Sequence, residues 1–393
     1  MNSFKKSISL ILLSVLLVNS IGMAVYTYVP PYLSYLDIDL ANIVLIVTIL
    51  PLNSVIFPPI LGSFSDKLQK RKIFFLIGGL GLIFTFILLI FIKNIILIIL
   101  LLILYGLCSS SYGLIYVLFQ ELILNNKEFI SYYQAIVALG WFTGAFIGGI
   151  FIDFFGIDNL FIFLLILALL NSLILLLINE NRERIMELYS THKNSNLFSE
   201  NTQKADISFS IYVSLFFRNF AIRPILSVLA IIMAFSIASE SQIGFLVSFN
   251  PIIQFFLMIL IGRVINENNL KKILILGYFL NALVIIGYII SSGFLDFLTF
   301  QIIISLSYSM FWNATQIYIA QRTKPSNKGR YMGYATTSFY LGSFLGGLFF
   351  SSLISIFIDI YIAMLFLIIF PVLSGGIIWI KFSLNHKEQD SSE

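Results

Sequence analysis

The sequence predicts an all-α polytopic membrane protein, with about twelve transmembrane helices in two pseudo-symmetric six-helix bundles and both termini cytoplasmic. Three observations carry that expectation. The 393-residue chain is 59% hydrophobic and 11% charged, with a mean hydropathy of +0.99, whereas a soluble domain carries roughly 25% charged residues. The chain repeats itself about 200 residues on. Gly62–Lys72 is echoed by Gly262–Lys272, with Asp66 falling on Asn266, and Tyr133, Gly144, Gly148 and Gly149 are echoed by Tyr331, Gly342, Gly346 and Gly347. Finally, of 23 Lys and Arg, Lys93 alone falls on one set of loops, and Arg218 and Arg223 belong to the seventh apolar run. The rest lie on the opposite set. Positive charge stays cytoplasmic, and a miscounted span would destroy this asymmetry.

Apolar runs fall near 8–29, 41–61, 73–92, 95–119, 133–152, 159–178, 209–233, 243–261, 273–292, 294–318, 332–354 and 359–380. The first follows Lys5 and Lys6, has no small-x-small cleavage pattern after it, and leads straight into further runs. It reads as an uncleaved helix. Asn19, Gly22, Tyr26 and Pro30 share one of its faces. The second run ends at Gly62, expected to let two helices approach closely. Asp66 follows, an acid amid Lys67, Lys70, Arg71 and Lys72. In the fourth run Tyr105, Ser109, Tyr112, Tyr116 and Gln120 recur at helical spacing. In the fifth, Gly140, Gly144, Gly148 and Gly149 lie on one side and read as close helix packing.

After the sixth run, 180–207 is polar, with Glu180, Arg182, Glu183 and Arg184, the composition of a flexible linker. A loop binding anionic lipid headgroups is the alternative. The seventh run has two readings. If it starts at 221, Arg218 and Arg223 are cytoplasmic anchors. If it starts near Phe209, as the repeat asks by placing Asn219 on Asn19, both arginines lie within the membrane. There they need a wet cavity or a partner, for which Glu121 is the candidate, and they favour anionic or hydrogen-bonding solutes. The eighth run ends at the Gly262 echo. In the tenth, Gln301, Ser305, Tyr308, Trp312 and Gln316 share a face, with Asn313 beside them. The eleventh begins near Arg330 and holds the echoed glycines. The expected division is a six-helix bundle at 1–179, a cytoplasmic linker at 180–207, a second bundle at 208–382 and a polar tail at 383–393.

Gly-x-x-x-Asp-Lys followed by a basic cluster, between the second and third runs, resembles the signature loop of the major facilitator superfamily. Gly62, Asp66, Lys67, Arg71 and Lys72 match, and Gln69 stands where the family usually has a second glycine. The weaker copy at Gly262 sits in the expected place, so the resemblance covers the whole chain. It implies the superfamily fold, in which the first, fourth, seventh and tenth helices line a central cavity. Under it the substrate cavity is assigned to Asn19, Tyr26, Tyr105, Tyr112, Tyr116, Arg218, Asn219, Tyr308, Trp312, Asn313 and Gln316. An interfacial aromatic belt is the competing reading of the aromatic stripes. The resemblance also implies a conformational latch of Gly62, Asp66, Lys67 and Arg71, with Asp66 against the positive end of the eleventh helix. A plain topological anchor is the alternative there.

The function this implies is secondary active transport of a small organic solute across the cytoplasmic membrane by alternating access. Export is favoured by the glycine pattern of the fifth run, similar to that of the family's exporters, although the proline they carry there is lacking. Uptake of a polar or anionic metabolite, and a transport-inactive receptor, are the alternatives. Coupling to a proton or ion is left open, because Glu121, Asp153 and Glu240 sit near span ends. Leu102 stands where many of the family's proton antiporters have arginine. Cys108 is the only cysteine, so no disulfide or cysteine-based metal site is expected. The chain has no His-Glu-x-x-His, Gly-x-Ser-x-Gly or phosphate-binding loop. Enzymatic activity, a cofactor, a metal and nucleic-acid binding are therefore not expected. The expected partners are the solute and the bilayer, for a monomer.

Overall fold

The computed structural model describes residues 2–68, 70–123, 127–178, 180, 207–322 and 325–382. Among them every regular element is helical. The first helix is Asn2–Tyr35, and the second runs Leu40–Val47 and on through Ile49–Leu68. The third is Lys72–Phe91, the fourth Ile95–Ser110 with Gly113–Ile123, the fifth Lys127–Phe155 and the sixth Leu160–Leu177. The seventh is Phe209–Ser227 with Leu229–Ala234, the eighth Glu240–Val264 and the ninth Glu267–Ile290. The tenth is Phe294–Arg322, the eleventh Pro325–Phe357, and the twelfth Ile360–Leu367 with Ile369–Lys381. Eleven of the twelve are long and apolar enough to cross a bilayer, which makes this a multi-pass membrane protein. The seventh is the exception. Arg218, Asn219 and Arg223 dilute its apolar character and it is interrupted at Val228. It begins at Phe209, where the repeat places it, and not at 221. The expected linker, beyond residue 180, and the tail lie largely outside the described residues.

Local chemistry explains the interruptions and starts. A proline gives no hydrogen bond to the carbonyl four residues back, and its ring crowds that carbonyl. Pro51 and Pro371 stand four residues after Val47 and Leu367, and the second and twelfth helices break beside those residues, at Thr48 and Ile368. Five starts are capped by the side chain of their own N-cap residue, which accepts the orphan N–H groups of the first turn. Asp39 accepts from Asn42 N–H at 3.0 Å, Asn94 from Ile96 N–H at 3.0 Å and Asp359 from Tyr361 N–H at 2.7 Å. Ser239 caps the eighth helix. Asn266, the echo of Asp66, forms a reciprocal capping box with Asn269 at the start of the ninth.

Helix pairing repeats between the halves. The first helix packs on the fifth and sixth as the seventh packs on the eleventh and twelfth. The third packs on the fourth and sixth as the ninth does on the tenth and twelfth, and the second meets the fourth as the eighth meets the tenth. The halves join where the fifth lies on the eighth and the eleventh on the second. Lipid gives no hydrophobic drive between helices, so small residues that allow close approach decide which pairs form. A Cβ at Gly144 would overlap the Ser20 carbonyl, and one at Gly346 would overlap the Phe220 carbonyl. Ser20 and Phe220 are echoes at the repeat offset, so in packing Gly144 corresponds to Gly346, one turn on from the Gly342 that the sequence repeat aligned with it.

The turns after the fifth and eleventh helices also correspond, but they are built differently. Gly156 holds φ at 86° and Ile358 at 63°. A β-branched residue in the left-handed region costs about 1–2 kcal/mol, and the exposed Ile358 side chain does little to offset it. Ile358→Gly is expected to stabilise the protein by about 1 kcal/mol after the extra chain entropy of glycine is counted. Thermal unfolding in detergent measures this, and an unchanged or lower midpoint would argue against strain in that turn.

Candidate functional site

A cavity of about 370 Å³ lies between the halves. The first half contributes Gly22, Met23 and Tyr26 from the first helix, Thr48, Pro51 and Ser54 from the second, and Trp141 from the fifth. The second half contributes Arg218, Arg223 and Pro224 from the seventh helix, Asn250 and Gln254 from the eighth, and Gln301 and Tyr308 from the tenth. Phe339, Tyr340, Ser343 and Gly347 of the eleventh complete the wall.

The two arginines are held in different ways. Arg218 is only 1% exposed. Its Nε donates to Asn281 Oδ1 at 3.0 Å and its Nη1 to Asn219 Oδ1 at 2.8 Å. The guanidinium carbon lies 4.4 Å from the centre of the Phe311 ring. Both asparagines are themselves fixed, Asn219 donating to Leu215 O and Asn281 to Gly277 O. Amide oxygens and an aromatic face thus solvate the charge, where an unpaired one in hydrocarbon costs roughly 3 kcal/mol or more. Arg223 lies between two rings, 4.9 Å from the centre of Phe339 and 5.5 Å from that of Tyr26. The Tyr26 hydroxyl donates to the Arg223 carbonyl at 3.4 Å, across the boundary between the halves.

A chain of amides also lines the cavity. Gln254 donates to Asn250 Oδ1, and Asn250 donates to Gln301 Oε1 at 3.0 Å. One end of the cavity is closed by contacts between the halves. Asp153, near the end of the fifth helix, accepts from Glu240 N–H and Ser241 N–H, each at 2.9 Å, and from the Ser239 hydroxyl at 3.1 Å. These groups form the start of the eighth helix, so a carboxylate sits at a positive dipole end. At the second junction the Ser351 hydroxyl donates to Ala41 O at 2.8 Å. Gly149 lies against the Glu240 backbone and Gly347 against the Thr48 side chain, with no room for a Cβ at either.

Of the residues expected in the cavity, Tyr26, Arg218 and Tyr308 line it. Asn219 stands directly behind, holding Arg218. Trp312 leans on Tyr308 and Phe339, and Asn313 donates to Met258 O at 2.7 Å, tying the tenth helix to the eighth. Asn19 accepts from Trp141 Nε1 at 3.0 Å and joins the first helix to the fifth. Gln316 is half-buried, outside the lining.

The fourth helix departs from expectation, since none of its described side chains lines the cavity. Its tyrosines serve its own half. Tyr105 packs on Phe86, Tyr116 packs on Tyr133, and Tyr112 accepts from Asn171, whose Oδ1 accepts from Ser14. Gly62 departs too. Nothing lies within 4 Å of where its Cβ would be, so it mediates no close helix approach. Lys67 is exposed. Arg71 and Lys72 N–H groups donate to the Glu180 carboxylate at 2.9–3.2 Å, and Arg71 Nη1 donates to the Ser65 hydroxyl at 2.8 Å. This part of the loop is therefore tied to the end of the sixth helix, within the same half. The Asp66 and Glu121 side chains lie outside the described residues. Asn250, Gln254 and Tyr340 were missed. The signal for the first two was an amide pair four residues apart in an otherwise apolar span.

Residues 10–237 and 207–393 each match a family model described as Major Facilitator Superfamily. An uncharacterised MFS-type transporter of Methanocaldococcus jannaschii is 29% identical over 238 residues, which span 58% of this chain and 60% of that protein. Among solved structures, the nucleoside transporter NupG superposes with a TM-score of 0.76 at 13% identity, over 98% of this chain and 100% of that one. A D-xylose–proton symporter gives 0.74 at 13% identity, over 95% and 97%. A POT family transporter in complex with 5-aminolevulinic acid gives 0.77 at 12% identity, over 95% of each chain. At such identities the likeness is one of fold.

The geometry of Arg218 makes a specific demand. Two of its nitrogens bond different helices while its flat face rests on Phe311, and a lysine ammonium cannot make that set of contacts. Arg218→Lys is expected to insert normally, because Arg and Lys have similar insertion costs within a membrane helix, but to lose at least tenfold in transport rate. Transport in proteoliposomes at matched protein content is the measurement, and wild-type rates would remove Arg218 from the site.

Proposed function

This chain belongs to the Major Facilitator Superfamily, and we propose that it is a secondary active transporter carrying a small organic solute across the cytoplasmic membrane by alternating access. One observation carries the reading. A cavity of solute size is walled by both halves and closed at one end by contacts, between the fifth and eighth and the eleventh and second helices, that can part without unfolding either half. The moving bodies are 1–179 and 208–382, and 180–207 links them. Export is the proposed direction, on the resemblance of the glycine-rich fifth helix to that of the family's exporters.

Each end of the cavity then needs its own latch. At the closed end it is the Asp153 carboxylate on the start of the eighth helix. At the Gly62 end it is Asp66 with the start of the eleventh helix near Arg330, engaged when the Asp153 contact is broken. A carboxylate at a helix start, with its hydrogen bonds, is worth about 1–2 kcal/mol, or roughly tenfold in a two-state population. Asp153→Ala and Asp66→Ala should therefore bias the cycle in opposite directions.

A Ser54→Cys reporter in a Cys108→Ser background tests this, labelled by an impermeant thiol reagent from each face. Asp153→Ala should speed labelling from the Asp153 face by roughly tenfold, and Asp66→Ala from the opposite face. Identical labelling in wild type and both variants would exclude alternating access governed by these latches.

A further inference from the structure

Resting on the carrier reading above, we infer that the cavity selects a small organic anion. Its charged head meets Arg223 and Arg218, and its flat apolar body lies among Tyr26, Trp141, Tyr308 and Phe339. The charge balance of the wall is the first argument. Among the described residues, two guanidiniums line the cavity and no carboxylate does. The acids at the closed end, Asp153 and Glu240, are outside the lining, and Asp153 is occupied by the start of the eighth helix.

The hydrogen-bond inventory is the second. Arg218 is almost wholly buried, and its Nε and Nη1 are taken by neutral amide oxygens. Its Nη2 carries no hydrogen bond among the described residues, and the same holds for the whole Arg223 guanidinium. A guanidinium has five N–H donors and no acceptor. What remains open on the two arginines is therefore donor capacity with net positive charge, which a carboxylate or phosphate head fills with charge-assisted bonds. An ammonium would meet repulsion, and a neutral solute would leave the charges unmatched.

Shape is the third argument. Phe339 and Tyr26 flank Arg223, and Tyr308 borders Arg218 at 5.9 Å. Aromatic faces this close to the cationic groups offer stacking area for a planar body joined to the anionic head. A volume of about 370 Å³ sits at the low end of the roughly 300–1,000 Å³ seen for small-ligand sites. That excludes a large polyanion.

The test is a binding panel on the purified full-length protein, read by thermal shift. It comprises benzoate, phenylacetate and 3-phenylpropionate, the matching primary amides and amines, and inorganic phosphate as a bare anion. At least one carboxylate should bind about tenfold or more tightly than its amide, as expected for a charge-assisted bond, and its amine should bind more weakly still. Arg223→Gln should remove that preference, and Arg223→Lys should restore part of it. Amides or amines that match the carboxylates, no carboxylate binding, or a preference unchanged in Arg223→Gln would each overturn the anion assignment. Phosphate binding as well as the best carboxylate would overturn the part played by the aromatic body. The Ser54→Cys labelling uses no ligand, so a failure here leaves the carrier reading to stand or fall by itself.

Discussion

The close approach of glycine stripes to backbone carbonyls is the constraint on which the rest of this structure depends. Gly144 rests on the Ser20 carbonyl and Gly346 on that of Phe220. In lipid, apolar side chains gain little by leaving the surroundings for one another, so helix pairs are set by van der Waals fit. The stripes fix the first helix on the fifth and the seventh on the eleventh. They then continue to Gly149 and Gly347, which touch the opposite half. The helices that hold each half together are thus the ones by which the halves meet. The same stripe thus packs a helix closely within its own half and against the other half.

The second constraint is charge in an apolar environment. The seventh helix keeps Arg218 dissolved with protein groups in place of water: two amide oxygens, each on an asparagine anchored to a backbone carbonyl, and one aromatic face. None of these groups is negative, so they solvate the charge without neutralising it. The site therefore keeps its positive potential, which an Arg–carboxylate pair would have cancelled. Burying such a pair gives little net stability in any case. The arrangement makes sense for a charge that is used.

Much of this was legible in the sequence, for physical reasons. The repeat carried backbone register, so the offset that put Asn219 on Asn19 also placed the start of the seventh helix at Phe209 and both arginines inside the bundle. The even count of helices followed from the charge asymmetry. The fourth helix was misread because a period of 3.6 shows that Tyr105, Tyr112 and Tyr116 share a face but not which neighbour that face meets. Asn171 and Ser14, distant in sequence, decided it. Gly62 was misread because a motif names a residue type without its surroundings, and the space beside it is open. Glu180 was read only as part of a linker, although its carboxylate caps the third helix.

The two halves share a scaffold and differ in what they place on it. Asn19 and Asn219 each donate to the carbonyl four residues back, Val15 and Leu215, so the repeat holds at the level of single hydrogen bonds. The free oxygen of Asn19 then takes a Trp141 N–H, and that of Asn219 takes Arg218. At the repeat offset Val18 stands for Arg218 and Met23 for Arg223. The first half therefore brings no charge to the cavity, and both cationic groups come from the second. Tyr26 of the first half lies over Arg223 of the second and donates to its carbonyl. The contact between Tyr26 and Arg223 exists only while the halves stand in this relation, whereas Phe339 and Tyr308 belong to the same half as the arginines. A ligand shifts a conformational equilibrium only by its difference in affinity for the two states. A site divided in this way makes that difference large for a solute that needs both halves, and small for one that needs only the charge or only the ring.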